Sequence, residues 1–193
     1  MKPRHLLSLA GMIMTSFSGG QGTTTSAHPT PVDWSKLPLP SVEGTAFKPE
    51  MFRGKVVLLV NTASYCGFTP QYRGLEALWQ RYRDRGFLVL GVPANDFGAQ
   101  EPDPDSQIKR FCETTYGIGF PIMAKQTVIG ERAHPIYRWA LEQTGPQGAP
   151  KWNFHKILIG RDGKLAAWFT STVKPSDAKL TGAIEQALGA PSA

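Results

Sequence analysis

Lys55-Val56-Val57-Leu58-Leu59-Val60-Asn61-Thr62-Ala63-Ser64-Tyr65-Cys66-Gly67-Phe68-Thr69-Pro70 runs from an unbroken apolar stretch into a short loop that bears a cysteine. The apolar part, 55–60, reads as a buried parallel strand, because a strand covered on both faces needs no polar alternation. Gly54 bounds it in front, and Ser64 and Gly67 bound it behind. Thr69-Pro70 reads as a helix start, with Thr69 as N-cap and Pro70 at the first helical position, where its missing N–H costs nothing. Cys66 then lies beside unpaired backbone N–H groups and the positive end of a helix dipole, both of which favour thiolate over thiol. Most free cysteines are small buried hydrophobes. A place at the carboxyl end of a strand, where open α/β sheets bind ligands, argues for a nucleophile instead.

Working outward, Tyr72, Leu75, Leu78, Trp79 and Tyr82 recur at three- and four-residue steps, which predicts an amphipathic helix over 70–83 ending near Gly86. The stretch 87–92 is a second buried strand, so the first unit is strand, helix, strand with a parallel pair and a right-handed crossover. The loop 93–104 leaves the same edge of the sheet as Cys66. Asp103-Pro104 starts a second helix by the same cap-then-proline logic, with Ile108, Phe111 and Cys112 on or near its inner face. A short strand at 120–123 and a helix at 135–141 follow. Strands at 154–159 and 165–170 flank Gly160-Arg161-Asp162-Gly163, a hairpin with Asp-Gly in its turn. A last helix, 176–188, closes a domain assigned to 41–193. The fold class is α/β: a thioredoxin-like fold, with a central mixed sheet flanked by helices.

The chain's 193 residues suit one domain with a sizeable core. A net charge of +6 comes from scattered basic residues, which form no readable patch and give no reason to expect nucleic acid. Met1-Lys2-Pro3-Arg4-His5 precedes the apolar stretch 6–14, too short to span a membrane and patterned like a secretory signal. The expectation is a signal peptide and linker over 1–27 with its cleavage site open, a flexible linker over 28–40, no stable membrane insertion, and export, to the periplasm by preference. In an oxidising compartment Cys66 and Cys112 could form a static bridge, but a bond made and broken in turnover suits a domain that needs no staple. The histidines and cysteines lack the close pairing of zinc ligands, so no metal is expected.

Gln100, in Phe97-Gly98-Ala99-Gln100-Glu101-Pro102, and Trp152-Asn153 offer N–H donors without an acid or a base. Donors converging on a sulfur stabilise its anion. Read in order, Asn61-Thr62-Ala63-Ser64 with Cys66-Gly67, then Pro93, Asn95, Phe97-Gly98 and Gln100-Glu101-Pro102, then Phe111, Phe120-Pro121 and Trp152-Asn153-Phe154 resemble the glutathione peroxidase family over about 42–188. The resemblance implies reduction of hydroperoxides by a catalytic tetrad of Cys66, Gln100, Trp152 and Asn153, and the lack of an insertion between Tyr137 and Trp152 leads us to expect a site open to bulky ones, lipid hydroperoxides among them. It implies no bound cofactor, and a thiol co-substrate, glutathione or a thioredoxin-like protein.

Cysteine stands where many animal relatives have selenocysteine. Ala94 stands where many relatives carry a cysteine, and Asp96 where glutamine is common, which leaves Cys112 as the internal candidate for resolving a sulfenic acid. To reach Cys66, the helix bearing it would have to unwind. A short segment between Tyr137 and Trp152, where tetrameric relatives carry an insertion, suggests a monomer. Three rival readings remain at this point. A cysteine hydrolase would use His134 or His155 as base with Asn153 as orienting group, although its local sequence differs. A thiol–disulfide oxidoreductase would want a second cysteine at position 69, which is threonine. The last is a non-catalytic thioredoxin-like binding module.

Overall fold

The computed structural model describes residues 21–22 and 29–189. Five strands form one sheet: β1 (Gln21–Gly22), β2 (Val56–Thr62), β3 (Phe87–Pro93), β4 (Lys156–Ile159) and β5 (Leu165–Phe169), in the order β1-β5-β4-β2-β3. β2 and β3 are parallel, and the other pairs are antiparallel. Every residue of β2 and of β3 is buried, as their continuous apolar runs require, whereas β5 alternates buried and exposed positions. Four helices cover the sheet: α1 (Gln71–Tyr82), α2 (Asp105–Tyr116), α3 (Pro135–Thr144) and α4 (Ala178–Gly189).

The period of two in β2 divides the core. Val56, Leu58 and Val60 face a layer built from Tyr72, Leu75 and Leu78 of α1, Ile108 and Cys112 of α2, and Leu180 and Ile184 of α4. Val57 and Leu59 face Ile136, Tyr137 and Ala140 of α3. This is the thioredoxin-like α/β arrangement expected from the strand and helix pattern. Glycine matters at the end of α1, where Gly86 takes φ 85 and turns the chain from a short 3-10 turn into β3.

Three expectations differ from the structure. The linker assigned to 28–40 is, in its described part, core: Val32, Trp34 and Leu39 are buried, and the Trp34 ring stacks on Phe52 at 4.7 Å. The Val32 N–H donates to Gly163 O at 2.9 Å, and Trp139 Nε1 donates to Thr30 O at 2.8 Å. Proline and polar composition hid a handful of apolar anchors. Gln21–Gly22, in the segment assigned to signal peptide and linker over 1–27, pairs antiparallel with Phe169 and Trp168. The rest of the signal segment lies outside the described residues. The strand expected at 120–123 is reduced to bridges of Ile122 with Gly91 and of Met123 with Ser41, because Pro121 has no N–H to extend a ladder. Among the described residues, no helix is long and apolar enough to cross a membrane.

Candidate active site

β2 delivers Asn61 and Thr62 to the carboxyl edge of the sheet, and the loop that follows carries Cys66, which is 8% exposed. The Phe68 N–H points at the sulfur, with N···S 3.4 Å. Thr69 is not the N-cap of α1. Its hydroxyl accepts from the Cys66 N–H at 3.0 Å and donates to Ala63 O at 2.8 Å, bracing the cysteine loop from inside. Pro70 takes the N-cap position without a side-chain bond, and α1 starts at Gln71. α2 shows the same displacement: Pro104 is its N-cap, and Asp103 accepts from the Tyr65 hydroxyl at 2.6 Å. In both places the expected capping side chain is held by the cysteine loop, and the helix begins one residue later.

Gln100 follows the left-handed pair Gly98 (φ 65) and Ala99 (φ 51). Its carbonyl accepts from the Tyr65 N–H at 3.0 Å, and its side-chain oxygen accepts from Asn153 Nδ2 at 2.9 Å. Trp152 packs its ring 6.0 Å from that of Phe97 and is 39% exposed. Asn61 holds this segment to β2: its Nδ2 donates to Trp152 O at 3.0 Å, and its carbonyl accepts from the Phe154 N–H at 2.6 Å. Phe154 has φ 63, a conformation that costs a non-glycine residue about 1–3 kcal/mol unless its surroundings enforce it. Gln100, Trp152 and Asn153 are thus brought together and tied to the loop of Cys66. A groove of about 450 Å3 opens beside Phe68 and Trp152, with Lys151, His155 and Trp168 along it.

Beneath the loop lies a buried polar group. Glu101 is fully buried, and neither carboxylate oxygen meets a protein donor in hydrogen-bond geometry. Burial outweighs the neighbouring Ser64 hydroxyl and N–H and the Lys125 ammonium, and pushes its pKa up to about 7. Cys112 is also fully buried, and burial, only partly offset by the Tyr72 hydroxyl, pushes its thiol up to about 11. Both cysteines are free. The two histidines are engaged away from the sulfur. His134 caps α3, accepting from the Ile136 N–H, and its Nε2 lies 2.6 Å from Pro38 O. His155 stacks on Trp168, with its pKa pulled down to about 4, chiefly by burial. Neither is hydrogen-bonded to Cys66, so the hydrolase reading has no base at its nucleophile.

The model of the family described as glutathione peroxidase matches residues 36–141. The chain belongs to the glutathione peroxidase family. It is 49% identical over 135 residues to the glutathione peroxidase-like peroxiredoxin gpx1 of Schizosaccharomyces pombe, covering 69% of this chain and 85% of that one. It is 46% identical over 145 residues to the hydroperoxy fatty acid reductase gpx1 of Synechocystis, covering 71% and 86%. Among solved structures, Trgpx in its apo form is similar with a TM-score of 0.66 and 36% identity, over 84% of this chain and 99% of that one. Thiol-dependent reduction of hydroperoxides is accordingly the activity of this glutathione peroxidase. The reading from residues alone missed the bracing side chains Asn61, Thr69, Asp103 and Lys156. Asn61 lies in the quoted family motif and Thr69 and Asp103 read as helix caps, whereas Lys156, whose Nζ donates to Phe154 O at 2.7 Å, is marked only as a lysine heading the apolar run Ile157-Leu158-Ile159.

Proposed function

We propose that Cys66 is the peroxidatic residue and that Gln100, Trp152 and Asn153 serve it. The Cys66 thiolate attacks the terminal oxygen of a hydroperoxide. An S–O bond forms, the O–O bond breaks, and the departing alkoxide or hydroxide takes a proton to leave as alcohol or water. The sulfur becomes sulfenic acid. Trp152 and the Gln100–Asn153 pair orient the oxygens as charge moves between them. The observation that carries this reading is the bond of Asn153 to Gln100, whose carbonyl in turn holds the loop of Cys66.

Cys112 then resolves the sulfenic acid, forming a disulfide with loss of water, and two reductant thiols restore both cysteines while becoming a disulfide themselves. A thiol at pKa about 11 is ionised in only about one molecule in ten thousand at pH 7, so Cys112 attacks after its turn of α2 opens to water. The apolar groove beside Trp152 supports bulky hydroperoxides, including those of fatty acids, as substrates alongside hydrogen peroxide. The enzyme acts as an exported monomer, and its reductant is glutathione or a thioredoxin-like protein.

The test is a peroxidase assay with hydrogen peroxide and a fatty acid hydroperoxide, using glutathione and thioredoxin in parallel, with mass spectrometry of the oxidised protein. Cys66→Ser is expected to abolish turnover. Cys112→Ser is expected to stop at sulfenic or glutathionylated Cys66, and to lose turnover with thioredoxin. A wild-type protein that yields no Cys66–Cys112 bond after peroxide removes Cys112 from the mechanism.

A further inference from the structure

Lys156 heads β4 and is fully buried. Across the ladder its partners are Val60 and Phe169, both in the core beneath α1 and α4, so its stem runs through hydrocarbon. At the end of that stem Nζ donates to Phe154 O at 2.7 Å. This carbonyl belongs to the left-handed residue that joins Trp152-Asn153 to the strand. A backbone turned that way leaves the ladder, and its buried carbonyl needs a donor from elsewhere.

We infer that Lys156 is a positioning residue for peroxide reduction: its buried amine fixes the left-handed turn at Phe154, which aims Asn153 at Gln100. Asn61 ties the same segment to β2 through Trp152 O and the Phe154 N–H, and the Phe154 carbonyl is the peptide group that Lys156 secures. A methionine or leucine would fill the space without desolvating an amine, whose pKa burial pulls down to about 7. The hydrogen bond is what an apolar side chain would lack.

The inference rests on the proposed roles of Cys66, Gln100, Trp152 and Asn153. Lys156→Met keeps the unbranched stem and removes the donor, and kcat/KM for hydrogen peroxide is expected to fall about 10- to 100-fold. In an Asn153→Ala background the same substitution is expected to cost less than about twofold, because the group that Lys156 positions is already gone. An equal loss in both backgrounds marks a merely structural lysine and overturns the inference. So does a Lys156→Met enzyme within about twofold of the wild type. Where Lys156→Met does not fold, Lys156→Gln goes through the same cycle and is judged by the same non-additivity. Cys66→Ser is measured alongside. Turnover surviving in that variant removes the reading of the site, whereas its loss beside an unaffected Lys156→Met removes only the role of Lys156.

Discussion

One hydroxyl, that of Thr69, satisfies two buried backbone groups at once, the Cys66 N–H and the Ala63 carbonyl. Valine has nearly the same shape and neither capacity. Thr69→Val is expected to lower stability by about 2 kcal/mol, the order of cost for leaving buried polar groups unpaired, and Thr69→Ser to recover most of it. Urea unfolding of the two variants checks this, and peroxide turnover should fall with Val and return with Ser. The residues proposed to carry chemistry, Cys66, Gln100 and Trp152-Asn153, stand out in the sequence because they lie in family motifs in the right order. The bracing roles around them do not. A threonine before a proline looks like a helix cap, and only the folded loop decides that the Cys66 N–H claims it first. Asn61 and Lys156 bind a segment whose left-handed turn at Phe154 no local pattern announces.

α2 is held differently at its two ends. At the amino end Lys125 Nζ donates to the carbonyls of Glu101, Pro102 and Asp103, its N–H donates to Asp105, and Tyr65 bonds Asp103. At the carboxyl end Gly117, with φ 63, ends the helix, and the Ile118 N–H returns to the Cys112 carbonyl at 3.1 Å. Cys112 sits nearer this end, where the Gly117 cap and the packing of Tyr116 on Tyr72 and Phe111 hold the last turn, and the proposed resolving role requires that turn to open. A Cβ at Gly117 meets no atom within 4 Å, so Gly117→Ala acts through the backbone alone. It is expected to destabilise the protein by about 1 kcal/mol and to speed formation of the Cys66–Cys112 bond after peroxide, followed by quenched-flow alkylation and mass spectrometry. A slower bond would place the opening at the Lys125 end. Elements of this kind read well from periodicity: α1, the parallel strands and the hairpin fell within a few residues of their expected places. The exceptions, the buried stretch around Trp34 and the bridges at Ile122 and Met123, depend on contacts made by single residues, which carry no period to read.

Two buried ionisable groups, Glu101 and Lys156, titrate near neutrality in the folded protein and act on its stability with opposite slopes. Glu101 has a folded pKa of about 7, raised by burial above its ordinary value of 4.5. Between those values the native state holds the proton that the unfolded chain has released, so the contribution of Glu101 is full below about pH 4.5 and is lost as pH rises through 7. Lys156 has a folded pKa of about 7, lowered by burial from 10.5. Between 7 and 10.5 the unfolded chain holds the extra proton, so the contribution of Lys156 is full above about pH 10.5 and is lost as pH falls through 7. Desolvation is the whole cause of the lysine shift and the leading cause of the carboxyl shift, and neither group acts on the other. Their contributions add to that of His155, whose folded pKa of about 4, lowered from 6.5, makes stability rise between those values and offsets most of the fall from Glu101. At their extremes the Glu101 contribution is on the order of 3 kcal/mol and the Lys156 contribution on the order of 5 kcal/mol. Unfolding free energies from guanidinium titrations at pH 5, 7 and 9 are expected to change little from pH 5 to 7 and to rise from pH 7 to 9 in the wild type. Glu101→Gln should turn the nearly level acid side into a rise from pH 5 to 7 and leave the rise above it, and Lys156→Met should remove the rise above pH 7 and leave the acid side. If Glu101→Gln leaves the acid side unchanged, the buried carboxyl is not protonated in the folded protein, and the loop of Cys66 rests on a charged floor.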